Sequence, residues 1–330
     1  ELNLERNGVD GTAAYYLAPG IVASKTLITL QLSHNPLAHL GATELANVIR
    51  GNKTVRTLRV LRGGFSRTAE HVLQMAFSSN DTLIDFNDIV VSGRISVDLS
   101  GRQIGNRRQW LYGGRLGLHE IGFLADRLND TDRLFDVTRR CAALNVENNE
   151  IDGQGAGVLC EGLRHNTTVA TARLGNNAGM GDAGAEAIAA LLAFNTGIYD
   201  LEVAKCGFTR VGERCIAKVI AAGSVMETSG VKSNTTLATL NNITVRSTTT
   251  IDISGRPGWL ESRYGQRIGL HEAAFLGNRV RSDVTAYDVR LKSLKAERNG
   301  MDAEACSEVM DGVAANGTLV ELQLSHNPLE

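Results

Sequence analysis

Gly179-Met180-Gly181-Asp182-Ala183-Gly184 has the glycine spacing of a phosphate-cradling turn, G-x-G-x-x-G, between a strand-like run and a helix-like one. Glu202 follows at roughly the 20-residue distance at which an acid would meet a ribose. The equivalent turns at 8–13 and 36–41 keep the same register without these glycines, so the chain's internal repetition accounts for them and no nucleotide is expected. His119-Glu120 and His271-Glu272 are recurring pairs of the residue types used in general acid–base work. At the start of a helix, however, they read as capping and packing groups. No G-x-x-x-x-G-K-[ST] loop, G-x-S-x-G elbow or H-E-x-x-H helix occurs. The cysteines at 141, 160, 206, 215 and 306 form no C-x-x-C pair and have no metal-ligand spacing with the histidines. The residues therefore predict no catalysis, no cofactor and no metal.

The composition is that of a folded chain: 43% of 330 residues are hydrophobic, and the formal net charge is -2. So even a balance, 34 basic against 36 acidic residues, makes no field suited to nucleic acid or an anionic membrane. No apolar run has the length of a membrane span, and the first residues lack the regions of a signal peptide. The chain begins at Glu1 and not Met, which reads as an excised or processed segment. Scattered, odd-numbered cysteines point to a reducing, intracellular setting. N-x-T sequons such as Asn52-Lys53-Thr54 and Asn166-Thr167-Thr168 would suggest secretion, but nearly all lie in a repeated lead-in that explains them.

What must position any site is a repeat. Leu2-Asn3-Leu4-Glu5-Arg6-Asn7 returns 28 residues later as Leu30-Gln31-Leu32-Ser33-His34-Asn35, and another such step reaches Leu58. The pattern recurs at Leu144, Ala172, Leu201, Leu294 and Leu322. Alternating L-x-L is a short strand with one buried face. The sixth position, Asn7, Asn35, Asn149, Asn177, Asn299 and Asn327, predicts a buried ladder of amides that both donate to and accept from backbone. Apolar spacing then turns helical, as in Ala42, Leu45, Ala46 and Ile49.

These units resemble leucine-rich repeats of the ribonuclease-inhibitor type. The resemblance implies an α/β solenoid, a horseshoe with parallel strands concave and helices convex. Stacking is also physically required, because a single strand-helix unit cannot bury its own apolar face.

A second period lies over the first. Val97-Asp98-Leu99-Ser100-Gly101-Arg102 reappears as Ile251-Asp252-Ile253-Ser254-Gly255-Arg256, and Gly64-Phe65-Ser66-Arg67 as Gly207-Phe208-Thr209-Arg210. This divides the chain into a block at 1–143, a second at 144–293 and the start of a third at 294–330. Each full block interrupts the 28-residue step with two strand-like segments 11 residues apart, 86–97 and 240–251, and then an inserted loop and helix.

The expected function is a non-catalytic scaffold for another protein, part of a longer array and capable of end-to-end self-association. Because some GTPase-activating proteins resemble this repeat type, regulation of a partner enzyme is the alternative. Candidate contacts on the inserted loops are Trp110, Tyr112, Arg115, Trp259, Tyr264 and Arg267, residue types favoured at binding hot spots. On the concave strands they are Glu5, Arg6, His34, Glu147, Asn148, Glu297 and Arg298.

Overall fold

The computed structural model describes residues 1–101, 115–129, 141–221, 237–244, 250–254, 268–281 and 291–327. Strands of two or three residues alternate with helices: β1 (Leu2–Asn3), α1 (Gly11–Ala23), β2 (Thr29–Gln31), α2 (Ala38–Gly51), β3 (Thr57–Arg59), α3 (Arg67–Gln74), β4 (Asp85–Phe86) and β5 (Ser96–Asp98). Next come α4 (Leu118–Asn129), β6 (Ala143–Asn145), α5 (Gly153–Leu163), β7 (Thr171–Arg173), α6 (Gly181–Phe194), β8 (Asp200–Glu202), α7 (Arg210–Ala221), β9 (Thr239–Leu240) and β10 (Ile243–Thr244). The last are β11 (Thr250–Asp252), α8 (Leu270–Val280), β12 (Ser293–Lys295), α9 (Ala303–Ala314) and β13 (Glu321–Gln323).

The 28-residue register is the pairing register. Leu2 sits opposite Leu30, Leu30 opposite Leu58, and Leu58 opposite Phe86, all in parallel. Leu144, Ala172 and Leu201 align likewise, as do Ile251, Leu294 and Leu322. At most strands the leucine position is buried while its neighbours are half-buried or exposed. Each strand thus turns one face to the helices and leaves the other open. The fold is a leucine-rich-repeat solenoid. Its strands fall into three sheets, β1–β4, β5–β10 and β11–β13, which part at the closely spaced segments 86–97 and 240–251. At the second break β10 doubles back antiparallel to β9. The helices meanwhile pack in one uninterrupted row, α1 to α9, over one buried apolar cluster running from Val9 to Val309.

The asparagine ladder closes the turn after each strand. Asn35, Asn149, Asn177 and Asn299 are buried. Asn177 is representative: its Nδ2 donates to the carbonyls of Val146 (3.0 Å) and Leu174 (2.7 Å), and its Oδ1 accepts from the N–H of Asn149 (2.9 Å) and Ile151 (3.2 Å). One amide satisfies backbone on two repeats, which is why no apolar residue can replace it. The two end members depart from the expected burial: Asn7 is exposed and Asn327 half-buried, although Asn327 keeps the same bonds to Ala296 and Leu324. In the third repeat of each block Gly63 and Cys206 replace the asparagine, and the Cys206 thiol leans on the Leu174 carbonyl at 3.4 Å.

A second ladder runs along the helix ends, built from the sequon asparagines Asn52, Asn80 and Asn166 together with Asn195. Asn52 Nδ2 donates to Ile21 O (2.7 Å) while its Oδ1 accepts from Thr54 and Val55 N–H (2.7 Å each). Asn80, Asn166 and Asn195 repeat this, reaching back to Ile49, Leu128 and Leu163. All four are at most 3% exposed, so in the folded chain these amides are structural donors, closed to glycosylation.

The inserted helices α4 and α8 are buried almost all round, because each is wedged in the row, α4 between α3 and α5 and α8 between α7 and α9. Their neighbours approach to backbone contact. A Cβ on Gly162 would lie 2.5 Å from the Ala125 carbonyl oxygen, so only glycine fits there.

Candidate functional site

The two inserts carry one polar network in two copies. In the first, Glu120 caps the start of α4 by accepting from Gly117 N–H (3.0 Å), and its other oxygen accepts from Asn87 Nδ2 (3.1 Å). Glu70 reaches over from α3 to accept from Leu118 N–H (3.0 Å). Arg67 then offsets Glu70 (3.3 Å) and spans to Asp152 (2.6 Å), the residue that caps α5 through Gly155 N–H. In the second copy Glu272, Asn241, Glu213, Arg210 and Asp302 make the same contacts at 2.8, 3.0, 3.1, 3.0 and 2.6 Å. His119 lies edge-on to Phe65 and His271 edge-on to Phe208. Behind them the guanidinium of Arg127 donates to Leu83 O (3.1 Å) and Asn80 O (2.8 Å), and Arg279 to Leu237 O (3.0 Å). Each arginine feeds carbonyls that the broken repeat leaves without a ladder amide. Two carboxylates at a helix N-terminus suit its partial positive charge. The His–Glu pairs thus cap and pack.

Arg115 is the loop candidate that the structure describes. It is half-exposed, 3.7 Å from Glu70, on the rim of a recess of about 280 Å³ that also touches Arg62, Phe65 and His119. Trp110, Tyr112, Trp259, Tyr264 and Arg267 lie outside the described residues.

The strand candidates fall on three separate sheets. Glu5, Arg6 and His34 stand side by side in the turns that follow β1 and β2, with Glu5 3.7 Å from Arg6 and 3.9 Å from His34. Burial, then the charges of Arg6 and Arg62, hold His34 below the ordinary imidazole value. Glu147 is 4% exposed, Asn148 half-buried, Glu297 accepts from the Ser325 hydroxyl, and Arg298 has a positive φ of 55°.

Three groups on the middle sheet were not among the expected contacts. Glu202 points from β8 to the open face yet is 3% exposed, and its Oε2 has no hydrogen-bond partner. Burial pushes this carboxyl up to about 7, against a bond from Ala204 N–H, and the nearby Glu147 and Glu272 raise it further. On the same sheet Ile95 and Tyr199, just ahead of β5 and β8, are 63% and 46% exposed. Backbone hydrogen bonds from Ala142 to Ile95, Ala170 to Ala142 and Tyr199 to Ala170 (2.7–3.0 Å) set these residues in one row. Glu202 follows the inward Leu201 and so takes an outward position, but its burial depends on neighbours that sequence spacing does not show.

The geometry defines the class as a leucine-rich-repeat solenoid. No protein-family model matches the chain. Among solved structures it is similar to the leucine-rich repeat-containing protein LegL7 of Legionella pneumophila, at 10% identity and a TM-score of 0.27 over 92% of this chain and 85% of that one. It is also similar to a chain in the yeast Rad7–Elc1 complex, at 13% identity and a TM-score of 0.24 over 95% and 75%. Among the described residues, no helix is long and apolar enough to cross a membrane.

Proposed function

We propose that the chain is a non-catalytic protein-binding scaffold whose contact surface is the open face of its strands. The carrying observation is the middle sheet, where exposed Ile95 and Tyr199 share a face with four carboxylates, Asp98, Glu147, Asp200 and Glu202, against one cation within its described strands, Arg173. Stacked repeats offer such a face as an extended surface, and apolar area beside charge is what a protein contact uses. In contrast, the carboxylates at the inserts are already committed to helix N-termini and arginines. The test is photo-crosslinking from position 199 against position 75 in cells that express the protein. Met75 is as exposed as Tyr199 but lies on the helix side. Discrete adducts from 199 and none from 75 are expected; equal labelling from both would overturn the assignment.

A further inference from the structure

We infer that the open face of the middle sheet docks a basic segment of a partner protein, seating one lysine or arginine side chain against Glu147 and Glu202. The inference rests on the scaffold reading and names the chemistry of the partner.

The other two sheets pair their outward charges internally. On the first, Arg59 of β3 is held by Asp85 (3.2 Å) and by Asp88. On the third, Lys295 of β12 is held by Glu321 (3.2 Å). The middle sheet turns Asp98, Glu147, Asp200 and Glu202 outward against Arg173, which lies 3.9 Å from Asp200. Asp98 is occupied by the N–H and hydroxyl of Ser100. Glu147 and Glu202 are the carboxylates left over, and they flank Gly175. A Cβ there would sit 3.2 Å from Glu147 Oε1, 3.2 Å from the Ala204 carbonyl and 3.3 Å from Glu202 Cγ, so it is the absence of a side chain that lets the two acids close in on one another.

A second observation is independent of this charge count. Glu202 Oε2 is buried with no donor, and an unmet buried acceptor is costly unless something supplies one. Block duplication aligns Leu58 with Leu201, so Glu202 stands where the first copy has Arg59. That arginine gathers its acids from its own sheet, whereas the second copy presents acids and lacks the cation. Lysine and arginine suit a nearly closed pair of acids, because their apolar stems can lie along the sheet while the charged end reaches the carboxylates. A bound cation would also favour ionised Glu202, which burial, Glu147 and Glu272 disfavour and Arg173 and the Ala204 N–H favour. Binding should therefore strengthen as pH rises through about 7.

The test titrates the full chain, with its glutamate side-chain carboxyls 13C-labelled, with N-acetyl-arginine amide, followed by NMR. The isosteric neutral N-acetyl-citrulline amide is the control. Expected are millimolar binding of the arginine probe at pH 8, shifts at Glu147 and Glu202, weakening of roughly tenfold or more in Glu202→Gln, and little response to citrulline. Glu202→Gln keeps the shape, and its unchanged circular dichroism and unfolding would separate loss of the site from loss of the fold. No shift at either glutamate, equal binding of citrulline, or full binding by Glu202→Gln would overturn the inference. If crosslinks from position 199 persist in that event, the face still binds protein by another chemistry. If they vanish too, the scaffold reading fails as well.

Discussion

The two inserts of this solenoid have the same interior and different faces. Arg67, Glu70, Asn87, Glu120 and Asp152 reappear as Arg210, Glu213, Asn241, Glu272 and Asp302, with contact lengths that agree to within a few tenths of an ångström. On the strand side, Arg59, Asp85 and Asp88 of the first copy became Glu202, Thr239 and Asn242 in the second. The retained groups all touch a helix N-terminus or another buried charge, where one change strands its partner. The groups that changed stand on the open face. Architecture therefore accounts for the His–Glu–Arg constellation, which most resembles an active site, and the divergence is confined to the open face proposed above as the contact surface.

If the duplicated network is architectural, breaking it should cost the most stability, and equally in both copies. Glu70→Leu strips the Leu118 N–H of its acceptor and leaves Arg67 one carboxylate fewer. A loss of about 4 kcal/mol is expected, with Glu213→Leu matching it within about 1 kcal/mol. Urea unfolding, with hydrogen exchange to localise the effect in α4 or α8, measures both. A large loss in one copy alone would make the other dispensable and break the equivalence.

The diverged face should separate the copies by pH. Glu202 titrates near 7 in the folded chain against an ordinary glutamate value of 4.5. Between these values the folded state holds a proton that the unfolded chain has released, so stability falls as pH rises from about 4.5 to about 7 and stays lowered above. The penalty at pH 8 is on the order of 3 kcal/mol, and Glu202→Gln should remove most of that slope. In the first copy Arg59→Lys, which keeps a cation beside Asp85 and Asp88, should leave the slope between pH 5 and 8 as it is, since neither side chain titrates there. Thermal unfolding across that range decides; an unchanged slope in Glu202→Gln would place the titration elsewhere.

The fold was largely legible because its information is local and repeated. Leu2, Leu30 and Leu58 announce their own pairing by a constant step, and the ladder asparagines lie a fixed distance beyond. The second ladder was harder, since Asn52 and Asn166 show a sequon and a turn in sequence, whereas their acceptors, Ile21 and Leu128, lie 31 and 38 residues away. The network was half legible: His119-Glu120 was read as a cap, but Glu70 and Arg67 join it across 48 and 85 residues, where no period points. Glu147 was expected on the contact surface, whereas Glu202 was weighed only as a ribose acid and set aside, because its environment comes from adjacent strands.

The smallest expected effect concerns the residue before each ladder position, which has a positive φ in repeat after repeat: Arg6, His34 and Arg62 in the first copy, Asn148, Asn176 and Lys205 in the second, at 55–60°. The strain persists because the same N–H donates to the next repeat, His34 to Leu61 O at 2.7 Å and Asn176 to Ala204 O at 2.8 Å. Residues with a Cβ disfavour this region, and asparagine least, because its short amide can bond locally. The first copy thus retains strain that the second has partly relieved. Arg6 and Asn148 are equivalent, so Arg6→Asn should stabilise and Asn148→Arg destabilise, each by about 0.5 kcal/mol. Asn148→Gly should be nearly neutral, as easier dihedrals offset the larger entropy lost on folding. The interior position gives the cleaner reading, because Arg6 is exposed and its 3.7 Å contact with Glu5 adds little. Denaturant midpoints of these variants provide the measure. If Asn148→Arg costs nothing, the basic residues here are conformationally free choices, and their presence in one copy and not the other must be credited to the partner they face.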